Sequence, residues 1–174
     1  MSDPFKILSL SNDHELVNKF IADVAKSYID GLTEENNASI KTQWRKINNS
    51  SIEVVKNYFK SILSTQNDFH FFELFIVTQN DEYVGYHFIG NKQCLGEDPE
   101  WIGFINGLFI RKEFRRLGLA QKLFELGQKW FSDNNIHYIE LNVNLGNQAG
   151  IAFWKKNGFD AVEQIMGRRE PLKD

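Results

Sequence analysis

The chain has 174 residues, of which 42% are hydrophobic and 25% are charged, and its formal net charge is −3. A chain of this length suits one domain, so we expect residues 1 to 174 to form a single domain. The charge excludes the basic total typical of nucleic-acid binders, and the single cysteine, Cys94, excludes an intramolecular disulfide and a multi-cysteine zinc cluster, so no metal site is predicted.

The N-terminus has no basic segment followed by an apolar run, and no stretch of 18 or more apolar residues occurs in the sequence. Signal peptides and membrane-spanning helices require such stretches. We therefore expect a cytoplasmic protein with no membrane partner, and a lone cysteine fits that reducing compartment.

The first segment predicts a strand followed by a helix. Residues 5 to 10 (FKILSL) are mostly apolar and have the composition of a strand. Asn12 followed three residues later by Glu15 is a capping box, which predicts a helix that runs to about Tyr28. Gly31 is expected to end this helix.

Two further helices are predicted before the main sheet. The first is a short helix over residues 40 to 47. The second begins at Ser50, with Glu53 completing a second capping box. Its apolar residues recur at helical spacing: Ile52, Val55, Phe59, Ile62 and Leu63.

Residues 69 to 77 and 83 to 89 predict an antiparallel hairpin with Asn80 and Asp81 in its turn. Both strands are apolar on both faces, which indicates a sheet covered on each side. Glu73 and His87 interrupt this pattern.

Residues 101 to 110 predict the next strand, followed by a basic connector and a helix to about Asp133. Gly118 lies in the turn that opens this helix. Backbone N–H groups at the positive end of a helix dipole, beside cationic side chains, bind phosphate. The cations of the connector are Arg111, Lys112, Arg115 and Arg116.

The last third predicts a strand over residues 136 to 143 and a helix over residues 148 to 157, with Asn147 as its N-cap and Gly158 as its end. A final strand is predicted from Phe159 to about Met166.

Charge is unevenly distributed along the chain. Residues 1 to 110 carry 9 Lys and Arg against 15 Asp and Glu, a balance of −6, and residues 111 to 174 carry 11 against 8, a balance of +3. This asymmetry favours an anionic ligand at the C-terminal part and a cationic one at the N-terminal part, although ordinary surface charge explains it equally well.

Two segments together point to a family. The first is Arg115-Arg116-Leu117-Gly118-Leu119-Ala120, between a strand and a helix, and the second runs from Asn147 to Phe159 (NQAGIAFWKKNGF). They look like the Arg/Gln-x-x-Gly-x-Gly/Ala pyrophosphate loop and the N-x-x-A-x-x-F-(Y)-x-K-x-G-F segment of the GNAT acetyltransferase superfamily, which the chain resembles. The sequence contains neither a P-loop nor a G-x-G-x-x-G dinucleotide motif.

The resemblance implies an α/β (α+β) fold: a mixed, mostly antiparallel central sheet of six or seven strands, flanked by helices on both faces. Only 15 residues follow Phe159. The seventh strand is therefore expected to be missing, very short or supplied by a partner subunit, and the protein to be a monomer or a homodimer.

The resemblance also implies acetyl-coenzyme A as the cosubstrate. Its pantetheine arm would pair with a strand at the point where that strand and the next one splay apart, and its pyrophosphate would lie on the loop. The cofactor-binding residues implied are Leu108, Phe109, Ile110, Arg115, Arg116, Leu117, Gly118, Leu119, Ala120, Asn147, Phe153 and Trp154.

The chain departs from the family pattern at the proton acceptor. Where many members have a glutamate in the strand before the loop, this chain has Asn106, and an amide cannot act as a base. Glu140, Glu73 and His87, each acting through water, remain as candidate bases.

A second departure concerns the leaving thiolate. Trp154 stands where the family often has a tyrosine that protonates it, and Tyr138 is the candidate replacement. With a thiol pKa near about 8.5, the thiolate can also leave without strict acid help.

The resemblance implies transfer of an acetyl group to a primary amine of a small molecule or polypeptide, with a cationic acceptor slightly favoured. The alternative is a coenzyme A-binding sensor or regulatory module with little catalysis, consistent with Asn106 and Trp154. A nucleic-acid site at residues 111 to 116 is the weakest hypothesis, because the N-terminal portion is acidic.

Overall fold

The structure is a computed structural model that describes residues 4–36, 51–64, 71–96 and 101–164. Its strands are β1 (Phe5–Ser9), β2 (Phe72–Gln79), β3 (Glu82–Gln93), β4 (Trp101–Ile110) and β5 (Ile139–Leu141). Its helices are α1 (Leu10–Lys19), α2 (Ile21–Asn36), α3 (Ser51–Ser64), α4 (Leu119–Asp133) and α5 (Gln148–Lys156), with a 3-10 turn at Lys112–Phe114.

The described strands form one sheet in the order β1-β2-β3-β4-β5. The first four are antiparallel neighbours, and β5 runs parallel to β4. This confirms the predicted mixed, mostly antiparallel sheet, although the described residues form five strands and not six or seven. The final strand predicted from Phe159 is wrong for residues 159–164, which are irregular, and its end lies outside the described residues.

Helices cover both faces of the sheet, as predicted. On one face α1, α2 and α3 pack on the sheet, with Val17, Val24 and Phe59 buried in the same cluster as Ile76 and Tyr86. On the other face α4 buries its apolar stripe against β2, β3 and β4, and α5 packs beside it. The buried residues of that stripe are Leu119, Leu123, Phe124, Gly127 and Phe131.

The β2–β3 hairpin has the predicted two-residue turn. Asn80 and Asp81 both adopt positive φ values, 50° and 62°. A type I′ turn requires such values at both central residues, and its twist matches that of the strands. The turn thus sets the pairing of Gln79 with Glu82 and of Thr78 with Tyr83, and a bulge at Val84 shifts the register beyond it.

The single helix predicted from Asn12 to Tyr28 is wrong in two respects. The helix begins at Leu10, and the chain forms two helices that break at Phe20. The second continues past Gly31 to Asn36, and Gly31 packs beside the Phe109 ring, where a Cβ would lie 3.4 Å from Cδ2. The short helix predicted over residues 40 to 47 lies outside the described residues. None of the helices in the described part of the chain is long and apolar enough to cross a membrane.

Glu73 holds the start of α1. It is 2% exposed, and its Oε1 accepts the Leu10 N–H at 2.7 Å, while its Oε2 accepts the Ser11 hydroxyl at 2.6 Å. Burial raises the pKa of this carboxyl, and the hydrogen bonds from Ser11, Leu74 and Leu10 oppose that rise. Helix N-termini have N–H groups without intrahelical partners, so a distant carboxylate acts as the acceptor here.

His87 lies between the sheet and α4. Its side chain is 0% exposed, its ring stacks on Phe75 at 6.5 Å, and a Cβ at Gly127 would lie 2.6 Å from its Nε2. The ring therefore occupies the space that Gly127 leaves in α4.

We expect Glu73→Ala to lower the free energy of unfolding by about 2 to 4 kcal/mol, because it leaves buried N–H groups of α1 without an acceptor. Glu82→Ala, at an exposed position of the neighbouring hairpin, is the control and should change it by less than about 0.5 kcal/mol. Chemical denaturation measures both values. Equal losses in the two variants would contradict a capping role for Glu73.

We expect stability to fall in acid because of His87. Burial lowers the pKa of His87 from 6.5 to about 4, and its hydrogen bond to Gly107 opposes that change only in part. Below pH 6.5 the unfolded chain binds a proton that the folded protein does not bind until about pH 4, so the free energy of unfolding should decrease by up to about 3 kcal/mol across this range.

Denaturation of His87→Leu at the same pH values supplies the control. The raised pKa of Glu73 acts in both proteins, so the difference between them isolates His87. Parallel pH profiles of wild type and variant would show that His87 does not titrate this way.

Candidate functional site

The central strand β4 carries a bulge at Asn106. Phe88 of β3 lies opposite Gly107 and the next residue, Ile89, lies opposite Ile105, so Asn106 has no counterpart in β3. A bulge bends a strand, increases its local twist and re-aims its side chains. Asn106 is exposed at this bend.

β4 and β5 separate at the same point. Their pairing runs only from Gly103 opposite Ile139 to Ile105 opposite Leu141, whereas β4 stays paired with β3 as far as Ile110. In the part of the chain that the structure describes, no strand pairs with this edge of β4 from residue 106 to 110. For the same reason the strand predicted over residues 136 to 143 is too long, since only three of its residues pair.

The peptide groups of this open edge have defined directions. The Arg111 N–H donates to the Val84 carbonyl on β3 at 3.0 Å. The Ile110 carbonyl belongs to the same trans peptide and so points away from β3. Because direction alternates along a strand, the Leu108 and Ile110 N–H groups face the open edge and the Phe109 N–H faces β3.

Arg115 connects the open edge to the loop before α4. Its Nε donates to the Ile110 carbonyl at 2.8 Å, and its guanidinium lies 5.6 Å from the centre of the Phe109 ring. One cationic side chain thus marks the end of the strand and the beginning of the predicted pyrophosphate loop.

The loop itself has the geometry of an anion site. Arg116 and Gly118 adopt positive φ values of 66° and 78°, and among the described residues no side chain caps the N-terminus of α4. The first N–H groups of a helix have no intrahelical partners, and such a terminus favours anions. Arg116, Leu117 and Gly118 are exposed, while Leu119 is 2% exposed and fixes the helix to the core.

The four cations of the basic connector have different surroundings. Arg111 donates to the Tyr83 carbonyl at 3.0 Å and to the Glu113 carboxylate. It thereby holds the connector to β3. Arg115 lies at the open edge, and Lys112 and Arg116 are exposed.

The second predicted segment forms α5 and packs against α4. Asn147 caps α5 as predicted, because its Oδ1 accepts the Gly150 N–H at 2.8 Å. The rings of Phe153 and Trp154 lie 6.1 and 5.9 Å from that of Phe124 on α4. These two residues therefore support the helix whose first turn carries the loop.

Glu140 is the partly exposed candidate base. It lies in β5 opposite Phe104, one residue before the strands separate. Its side chain is 30% exposed and lies 3.6 Å from the Lys92 ammonium, which itself lies 5.9 Å from the centre of the Phe104 ring. Sequence reasoning missed Lys92, because the predicted strand ended at residue 89 whereas β3 runs to Gln93.

The other candidates lie elsewhere. Tyr138 is 42% exposed, and its carbonyl accepts the Gly103 N–H at 2.9 Å. Gly103 is five residues from Leu108, roughly 16 Å along a strand. The Glu73 carboxylate accepts a hydrogen bond from the start of α1. The His87 side chain is buried, and its Nδ1 lies 3.1 Å from the Gly107 carbonyl oxygen.

One feature of the sequence indicates the bulge, a glycine within the strand. Gly inside a strand often marks a bulge or a close approach of two backbones. Gly107 follows Asn106 within the strand from Trp101 to Ile110. A Cβ at Gly107 would lie 2.7 Å from the Tyr86 hydroxyl, which explains the glycine.

Comparison with known proteins gives a consistent result. The family model for the acetyltransferase (GNAT) family matches residues 33–159. Over 73 residues the chain is 32% identical to an N-alpha-acetyltransferase of Caenorhabditis elegans, a match that covers 41% of this chain and 39% of that protein. Over 91 residues it is 29% identical to N-alpha-acetyltransferase 20 of Dictyostelium discoideum, covering 51% and 50%. The matches thus span half or less of these curated relatives.

The fold matches solved structures over nearly its whole length. A predicted acetyltransferase from Clostridium acetobutylicum, crystallised with acetyl-CoA, superposes with a TM-score of 0.72 at 16% identity, covering 95% of this chain and 96% of that one. At this identity the likeness concerns the fold, and the family model supplies the relationship in sequence. The chain belongs to the GNAT family of acetyltransferases.

Proposed function

We propose that the protein transfers an acetyl group from acetyl-coenzyme A to a primary amine by direct attack. One observation carries the proposal: the open edge of β4 leads, through Arg115, to an uncapped helix N-terminus. An extended arm of amides needs a free strand edge, and a pyrophosphate needs backbone N–H groups. Acetyl-coenzyme A has both parts in that order.

The cofactor-binding residues divide by role. Leu108 and Ile110 would pair with the pantetheine arm through their outward peptide groups, and Phe109 lies between them in β4. The pyrophosphate would lie on the N–H groups from Arg116 to Ala120. Asn147, Phe153 and Trp154 would act by holding α5 against α4.

The acetyl carbonyl needs a donor that strengthens as negative charge develops on its oxygen. The Leu108 and Ile110 N–H groups face the open edge, whereas the Phe109 N–H faces β3. We therefore assign the oxyanion to one of the two outward amides. Loss of one such donor typically costs about 3 to 4 kcal/mol in the transition state.

The attacking amine must lose a proton, since a free alkyl ammonium has a pKa of about 10.4. Glu140 is the candidate with an accessible carboxylate close to the point where β4 and β5 separate. We assign it as the base, acting through water. The thiolate leaves without a strict acid in this scheme, because Tyr138, the candidate donor, lies beside Gly103 and roughly 16 Å along the strand from Leu108.

The acceptor is proposed as a cationic amine. The balance of −6 over residues 1 to 110 supports this class. Polyamines, aminoglycosides and the lysine or N-terminal amines of polypeptides belong to it. The names of the two N-alpha-acetyltransferase relatives make peptides with free N-termini the first acceptors to test.

The deciding experiment incubates the protein with acetyl-coenzyme A and a panel of these amines, and follows release of free thiol together with thermal stabilisation by the cofactor. Amine-dependent thiol release supports the proposal. Stabilisation without release across the panel favours a coenzyme A-binding module, the alternative suggested by Asn106 at the bulge. Absence of stabilisation would contradict both.

We expect Gly118→Ala to raise the KM for acetyl-coenzyme A about tenfold or more, because a Cβ would project from a left-handed residue into the space assigned to the pyrophosphate. Gly96→Ala is a matched control: Gly96 has φ +80° and Gly118 φ +78°, and a Cβ at either would meet no atom within 4 Å. Both variants should lose similar stability. Equal KM values in the two variants would contradict the loop assignment.

We expect Glu140→Gln to lower kcat about 100-fold or more near neutral pH, in the range that general bases contribute, with little change in the KM for the cofactor. Lys92→Gln removes the other half of the same ion pair and is the control, with kcat expected within about threefold of wild type. Steady-state kinetics with the best amine measures both. A kcat of Glu140→Gln equal to that of Lys92→Gln would refute the assignment of the base.

A further inference from the structure

His87 contacts the bulge of β4 from the side opposite to the open edge. In the register of the sheet it lies opposite Leu108, but its ring reaches diagonally, so that Nδ1 lies 3.1 Å from the Gly107 carbonyl oxygen. A carbonyl can only accept, so Nδ1 must carry the proton. Gly107 follows the bulge residue Asn106 and lies opposite Phe88 in the ladder, so the imidazole adds a side-chain donor to a carbonyl that faces β3.

The position of the ring is set by three surrounding elements. Phe75 of β2 stacks on it, Gly127 of α4 faces its Nε2, and Gly107 of β4 accepts its Nδ1–H. These three groups carry no charge. With Nδ1 protonated, Nε2 is the lone-pair nitrogen, and a larger residue at position 127 would push the ring away from the carbonyl.

Peptide planarity transmits this contact to the open edge. The Gly107 carbonyl and the Leu108 N–H belong to one trans peptide and point in opposite directions. A carbonyl held towards His87 therefore directs the Leu108 N–H outward. This amide is one of the two that the proposed function assigns to the cofactor.

We propose that His87 is a positioning residue for acetyl-coenzyme A: its Nδ1–H fixes the Gly107 carbonyl and thereby orients the Leu108 amide for the cofactor. The inference rests on the proposed function for its ligand. It gives His87 a role other than that of a base, since its lone pair faces α4 and its side chain has no exposed surface. Gly127 contributes to this arrangement because the lack of a side chain there leaves room for the His87 ring.

The test compares His87→Asn with His87→Leu. The two side chains have similar shapes, but Asn retains an N–H donor close to the position of Nδ1 and Leu has none. We expect His87→Leu to bind acetyl-coenzyme A about tenfold or more weakly, as loss of an oriented hydrogen bond predicts, and His87→Asn to recover most of that affinity. Val77→Ala, at a buried position of β2 on the same face, controls for general loosening of the core and should bind the cofactor like wild type.

Two readouts need no cofactor and separate failure of this inference from failure of the proposed function. Nitrogen NMR of the histidines should show His87 as the neutral Nδ1–H tautomer, without titration between pH 5.5 and about 8. The backbone amide of Leu108 should shift in His87→Leu and much less in His87→Asn. An Nε2–H tautomer, an unshifted Leu108 amide or equal cofactor affinity of the Leu and Asn variants would overturn the positioning role.

If wild type binds no acetyl-coenzyme A at all, the result contradicts both the proposed function and the role of His87 in binding this cofactor. If wild type binds it and the two His87 variants bind it equally, only the inference fails.

Discussion

The architecture depends on one strand that has two different edges. β4 is paired with β3 along its length, but with β5 only from Gly103 to Ile105. Unpaired peptide groups in a sheet must find other partners, because each buried unsatisfied group costs on the order of 1 to 3 kcal/mol. Asn106 creates this situation by adding one residue to β4 and turning it away from β5. The open edge is therefore a consequence of register and requires no special side chain.

Helix α4 occupies a fixed position relative to the bulge of β4. Two close contacts set its position: a Cβ at Gly103 would lie 2.6 Å from Phe131, and a Cβ at Gly127 would lie equally near to His87. Glycine at these two sites allows the helix to approach the sheet closely. Its N-terminus then lies where the chain, anchored by Arg115, leaves β4. Core packing at the C-terminal half of α4 thus determines where its uncapped N-terminus lies.

The sequence predicted the parts of this arrangement that depend on local pattern. The bounds of β4, the hairpin turn at Asn80 and Asp81, the start of α4 after Gly118 and the cap at Asn147 follow from composition, turn chemistry and periodicity, and all are confirmed. The prediction that the loop before α4 binds pyrophosphate came from the family resemblance and stays a prediction.

What the sequence did not predict depends on tertiary contacts. The early start of α1 follows from Glu73, which is 63 residues away from Leu10. The short β5 follows from the bulge in its neighbour, since its own residues have a strand pattern over a longer range. The ion pair of Lys92 with Glu140 joins β3 to β5 across β4. No local pattern carries such information, apart from the glycine within β4.

The two polar residues that interrupt the apolar hairpin have a common explanation. Glu73 accepts hydrogen bonds from N–H groups of α1, and His87 lies against a carbonyl of the bulge. Glu73 supplies an acceptor for backbone N–H groups, and His87 supplies a donor for a backbone carbonyl. Both are buried, so neither offers a route for a proton from a bound amine to water. On the proposed mechanism proton removal therefore falls to a group at the edge of β5, and Glu140 is the carboxylate that the fold places there.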